Sequence, residues 1–208
     1  MSLFRLVSFL ILIISFGTIV GCGGNDGVPE GIERAEISFS PFVNFRFAID
    51  NLTFNPTLTF DEPEFTPAGP IDGKTVQGVT FMFDIGGMPS DDAAVGLSIG
   101  PGDTPLLTPP IIEGDDAGVL TLLFSPPVTS ISFDFALNDT VDIPDAATIT
   151  IFDVSDNPIG TATADATVPP MFLFAEGTLE INTNGQPKTI QRNVSTSSFD
   201  TVSSGSAW

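Results

Sequence analysis

The stretch SISFDFAL, residues 130–137, puts Ile131, Phe133, Phe135 and Leu137 on one parity and Ser130, Ser132, Asp134 and Ala136 on the other. A period of two gives a strand one apolar face and gives a helix none, so this segment can bury its phenylalanines only as half of a sheet. The same kind of short run recurs along the chain: AEISFS, FRFAIDNLTF, TLTF, GVTFMFDI, GVLTLLF, ATITIFDV, IGTATADA and FLFAEGTLEI. Gly, Pro, Asn and Asp punctuate them, and no convincing helical stretch follows residue 22. Eight or more short strands with turns between them predict an all-β fold, an antiparallel jelly-roll-like β-sandwich. Phenylalanine, 19 residues in all, would supply its core, with Phe45, Phe47, Phe60, Phe81, Phe124, Phe133 and Phe135 inside.

The amino terminus reads differently. Arg5 precedes an apolar run from Leu6 to Ile14, followed by small residues, which is the layout of a secretory signal and too short for a stable membrane span. The run Ile19-Val20-Gly21-Cys22 resembles the bacterial lipobox, in which the cysteine thiol is diacylated and the peptide is cut before it. Cys22 is the only cysteine of the chain. The resemblance implies a lipoprotein with a signal peptide at 1–21 and a lipidated tether at 22–31. A β-sandwich domain at 32–185 and a Ser/Thr-rich tail at 186–208, partly disordered, would follow. Several acyl chains hold a protein firmly to a bilayer. Gly23, not Asp, follows the cysteine, which resembles sorting to the outer membrane where the host has two. The address expected is the bacterial cell envelope, with a membrane contact made through lipid.

Loss of residues 1–21 removes Arg5 and leaves 187 residues with 26 acids and five bases. So anionic a surface repels nucleic acid and anionic headgroups and favours cations. With Cys22 acylated no disulfide is available, and stability must come from the core. The chain has no His and no Tyr. That removes the usual general base and the Ser-His and Cys-His pairs, so no enzyme is expected. Asp91-Asp92 and Asp115-Asp116 lie in two stretches, 86–105 and 108–118, that read as long loops. Such loops at the ends of a sandwich are where binding usually lives, although solvated turns have the same composition. A glycoside hydrolase needs its two carboxylates apart across a cleft, whereas adjacent residues diverge.

The run from Gly118 to Ala166 resembles a recurrent β-sandwich module of bacterial exported proteins, often sorted by a PEP-CTERM tail. LTLLFSPPVTSISFDF, an acidic loop, and then ATITIFDVSDNPIGTAT carry the likeness, which extends over about 70–181. The sorting tail is not found here, and the lipid would replace it. Modules of this kind end in a strand similar to RFAIDNLTF, which here stands at 46–54, ahead of the module. A text similar to their first strand stands at 58–62. The order implies a circular permutation, with Asn55-Pro56-Thr57 as the joint between adjacent antiparallel strands. A truncated leading repeat is the alternative.

In FRFAIDNLTF the apolar parity changes: Phe45, Phe47 and Ile49 share one face, then Leu52 and Phe54 the other. Only an extra residue allows this, so a bulge is expected near Asp50-Asn51. The stretch is similar to the last-strand acid of calcium-binding jelly rolls, MAM domains and some carbohydrate-binding modules among them. There, acids from the last and first strands share a structural ion. The resemblance implies Ca²⁺ on Asp50, Asn51, Asp61 and Glu62, a hard-oxygen set that suits Ca²⁺ rather than zinc. The other reading is that Asp50 and Asn51 satisfy the bulge themselves. A non-catalytic interaction domain for extracellular polysaccharide is expected from all this, or else a structural or adhesive lipoprotein for a surface protein. A single Trp, Trp208, and no Tyr leave little for stacking on sugar rings.

Overall fold

The structure, a computed structural model, describes residues 31–40, 46–97 and 104–183. Cys22, Phe45, the segment 1–21, all of the tether but Gly31, and the tail 186–208 lie outside the described residues. Within them the chain forms thirteen strands and no helix. They are β1 Ile32–Phe39, β2 Arg46–Thr53, β3 Thr57–Leu58, β4 Thr75–Val76, β5 Val79–Ile85, β6 Met88–Pro89 and β7 Ala94–Gly96. There follow β8 Ile111–Asp115, β9 Gly118–Val128, β10 Ser130–Leu137, β11 Ile143–Phe152, β12 Pro158–Ala166 and β13 Ala175–Asn182. No helix of the described residues is long and apolar enough to cross a membrane.

Two antiparallel sheets share one core. The first runs β12-β11-β1-β9-β5-β4, with β6 on β5, and the second runs β13-β10-β2-β8-β7, with β3 on β2. Successive long strands change sheets, β1 to β2 and β9 to β10 to β11, as in a jelly roll. The inner faces carry the phenylalanines the sequence assigns to them: Phe47, Phe60, Phe81, Phe124, Phe133 and Phe135 are buried. Phe39 stacks on Phe47 with centroids 4.5 Å apart, and Phe60, Phe65 and Phe81 meet edge to face.

Residues 32–54 are not a leading repeat. β1 lies between β11 and β9, and β2 between β10 and β8, each inside a sheet of the same sandwich. Leu52 pairs with Leu58 and Thr53 with Thr57, as the tight joint at Asn55-Pro56-Thr57 requires.

The reading of 86–105 and 108–118 as loops needs correction, because β6, β7 and β8 form inside them. Ile111 and Ile112 are fully buried, and Gly114 faces the Phe47 ring, where a Cβ would come within 2.6 Å of the aromatic carbon. A glycine that reads as a loop residue is here the space left for a ring on the neighbouring strand.

The register also fixes the ends of the sandwich. Gly31 packs on Pro127, and the Thr183 amide donates to Thr129 O, so the described domain begins and ends beside the β9–β10 turn. The β10–β11 and β12–β13 loops lie at the other end, since Ile143 pairs with Ala166 and Leu137 with Ala175.

Candidate functional site

The bulge falls where the parity change places it. Asp134 of β10 pairs with Asp50 and Ser132 with Thr53, so β2 has one residue more than its partner over the same span. Asn51 takes a φ of 54°, a conformation Asn tolerates better than most residues. Leu52 and Phe54 thereby return to the core.

Outer-face parity puts Ala48 and Asp50 of β2, Asp134 and Ala136 of β10, and Glu176 and Thr178 of β13 side by side. This face is not open to water. Segment 104–108, a strap preceding β8, lies across it, and Leu107 packs with Ala48, Ile111 and Ala136, flanked by Leu106 and Phe174. Asp50 is 2% exposed and pegs the strap: its Oδ2 accepts from the Thr108 amide at 2.8 Å, and its Oδ1 from the Asn51 amide at 2.7 Å. Burial raises its pKa against the pull of those two amides, and neighbouring Asp134 adds to the rise. Asp134 accepts from the Asn51 side-chain amide at 3.0 Å and from the Thr178 hydroxyl.

Glu176 is the exception. It is 4% exposed, and neither carboxyl oxygen has a hydrogen-bond partner. Burial pushes its pKa up to about 7, and the charge of Asp134 adds to this. The Thr104 hydroxyl and the Leu106 amide of the strap sit close enough to hold it down in part. Neither makes an aligned bond to it, and the Thr104 oxygen instead accepts from the Leu107 amide at 3.1 Å.

The four residues expected to share Ca²⁺ fall into two networks. Asp50 and Asn51 belong to the strap and Asp134. Asp61 accepts from the Thr59 hydroxyl at 2.7 Å, and Glu62 from the Thr59 amide at 3.2 Å, closing the turn after β3. Among the described residues no three His, Cys, Asp or Glu side chains gather as a metal group. The arrangement does not fit one ion held by all four.

The paired loop acids also have definite places. Asp92 accepts from the Asp115 amide at 2.8 Å and pairs with Arg46 at 3.2 Å, tying the two acidic segments to β2. Asp116 is buried in the turn between β8 and β9. On the other sheet an open groove of about 310 Å³ is lined by Glu33, Arg34, Ser125, Asp153, Val154 and Asp156, with others. Arg34 lies 3.5 Å over the Phe152 ring and bonds Glu36 and Asp156. Three Asp153 contacts, from the Asn157 amide, its side chain and the Ser155 amide, hold the β11–β12 turn and keep the Asp153 pKa low.

Sequence reasoning missed Asp134, Glu176 and the strap. The sole acid in SISFDFAL and the Glu in FLFAEGTLEI stand on the polar parity, which ordinarily faces water. Only the Leu106-Leu107 pair, apolar inside a loop, hints that something covers them. Comparison of the chain with protein-family models, with curated proteins and with solved structures gave no match.

Proposed function

We propose that the chain is a non-catalytic interaction domain of the bacterial cell envelope, held by lipid on Cys22, in the outer membrane where the host has one. The observation that carries the interaction reading is an apolar group of side chains left in water on the loops remote from Gly31: Val141, Met171 and Leu173 are 58%, 99% and 64% exposed. Soluble surfaces scatter such residues singly, and a group on adjoining loops suits contact with another molecule. The composition supports a non-catalytic role, since His and Tyr are absent and the one thiol is Cys22. The acids nearest to a paired arrangement, Asp50, Asp134 and Glu176, lie beneath the strap, out of reach of a substrate.

A surface protein is the better-supported target. Extracellular polysaccharide is the second reading, and the groove at Arg34 is what favours it. The aromatic residue of its lining, Phe124, is buried, so a sugar there would bind through carboxylates such as Glu33 and Asp156. Two measurements test the proposal. Labelled palmitate should enter the wild-type chain and not Cys22→Ser, and equal uptake overturns the anchor. A glycan array probed with the detergent-solubilised full chain should stay blank for the protein-binding reading, whereas saturable binding to one polysaccharide class selects the second.

A further inference from the structure

The apolar group at the remote end belongs to a loop with an unusual construction. Residues 167–174 read TVPPMFLF. Thr167 and Glu176 exchange two backbone hydrogen bonds, both 2.9 Å, at the loop's root. The Val168 amide donates to Asp142 of the β10–β11 loop at 2.8 Å, and the Phe172 amide to Pro169 O at 3.1 Å. Phe174 is seated in the Leu107 cluster. The loop is therefore fastened on three sides, and its exposed tip is held out by structure. Met171 at that tip has a φ of 71°, in the left-handed region where Gly or Asn would sit with less strain. The positive φ closes the turn from Pro169 to Phe172, but the Met side chain placed there packs on nothing and is kept fully in water at a position that disfavours it.

The surroundings of the tip are acidic. Asp139 and Asp142 stand on the β10–β11 loop, and Asp145 and Asp165 at the adjoining ends of β11 and β12. Arg46 is the base at that end among the described residues, and it is engaged by Asp92. An acidic border repels anionic headgroups and a second copy of the same surface, and it attracts a basic one. Direction matters too. β1 leads away from Gly31, so the tip stands about 25 Å, the length of an eight-residue strand, beyond the side where a tether to Cys22 would attach.

We propose that this end is a docking tip for a protein surface bearing an apolar socket bordered by Lys and Arg, with Met171 as the inserted side chain. The proposal rests on the interaction-domain reading and names the partner's chemistry. The test uses the full chain in its own host, with photoreactive benzoylphenylalanine replacing Met171, or in a second strain Val154, which is exposed beside the Arg34 groove. Position 171 should give a discrete protein adduct whose crosslinked peptide holds apolar residues and at least one Lys or Arg, and position 154 should not. With the probe moved to Leu173, Met171→Asn should lower the yield at least tenfold while leaving the melting temperature unchanged or higher. A phospholipid adduct, an adduct to a second copy, or none at position 171 overturns the tip. An adduct at 154 alone, or glycan binding, removes the tip and leaves the interaction reading standing. Blank results at both positions and on the glycan array remove both.

Discussion

Glu176 shows how one buried carboxyl can set the pH dependence of a fold. Burial lifts its carboxyl from the ordinary value of 4.5 to about 7 in the folded chain. Below 4.5 it is neutral in both states and its burial is harmless. As pH rises from 4.5 to 7 the unfolded chain loses the proton first, so stability falls, by on the order of 3 kcal/mol from a shift of this size. Asp50, also raised, acts in the same direction. Asp153, lowered by its turn amides, acts oppositely, and its contribution is lost as pH falls below 3.8. Urea unfolding should accordingly give a more stable protein at pH 5 than at pH 7.5, and Glu176→Gln should flatten that slope. Equal slopes in both proteins would show that Glu176 is not the group responsible. Asp50 is expected to act as the peg of the strap. Asp50→Ala leaves two part-buried amides without their acceptor and should cost about 1–2 kcal/mol. The wild-type melting temperature should be the same in EDTA and in millimolar Ca²⁺. A rise with Ca²⁺ that Asp50→Ala abolishes would return the ion to this hairpin.

Among the elements, β2 carries the most information per residue. Its first half points Phe47 and Ile49 inward, its second half Leu52 and Phe54, and Asn51 is the extra residue that reconciles them. Deleting Asn51 would restore strict alternation and turn either Leu52 and Phe54 or Phe47 and Ile49 out of the core. With about 1.5–3 kcal/mol for each large side chain moved into water, the deletion should cost roughly 4 kcal/mol, a large part of the stability of a domain and a marked drop in melting temperature. Circular dichroism melting of the deletion beside Asn51→Gly, which keeps the residue count and the positive φ, separates register from side-chain loss. The glycine variant should melt far closer to wild type. β8 makes the complementary point. Its Glu-Gly-Asp text has little strand propensity, yet Gly114 is what allows the Phe47 ring to lie across it.

At the scale of the whole molecule, one core joins both sheets, and the charge outside it is strongly one-sided. A formal net charge of −20 at pH 7 opposes compactness by self-repulsion. Screening should relieve it. Raising NaCl from about 10 mM to about 500 mM shortens the screening length several-fold, and the melting temperature should rise by several degrees. An unchanged melting temperature would mean that the acids are already neutralised by local pairing. The placement of Gly31 and Thr183 on either side of the β9–β10 turn gives the sandwich a near end and a far end. A chain that keeps its entry and exit together has its opposite loops free for contact, which is how the acidic loops and Met171 come to share one face of the molecule.

Period-two alternation in SISFDFAL, ATITIFDV and the runs like them determined the all-β class, because a strand is the one element that makes a single apolar face from such text. The parity change in FRFAIDNLTF likewise determined the bulge, since backbone geometry admits no other way to keep both halves in the core. Those signals are local, carried by residues within a few positions of one another. Tertiary structure alone decided that Asp50, Asp134 and Glu176 come together from three strands, and that the strap at 104–108, distant in sequence from all three, seals them from water. It also decided that Asp61 and Glu62 turn to Thr59 and not to Asp50. Burial of a polar-parity side chain depends on what the rest of the chain lays over it, and no spacing along one strand records that.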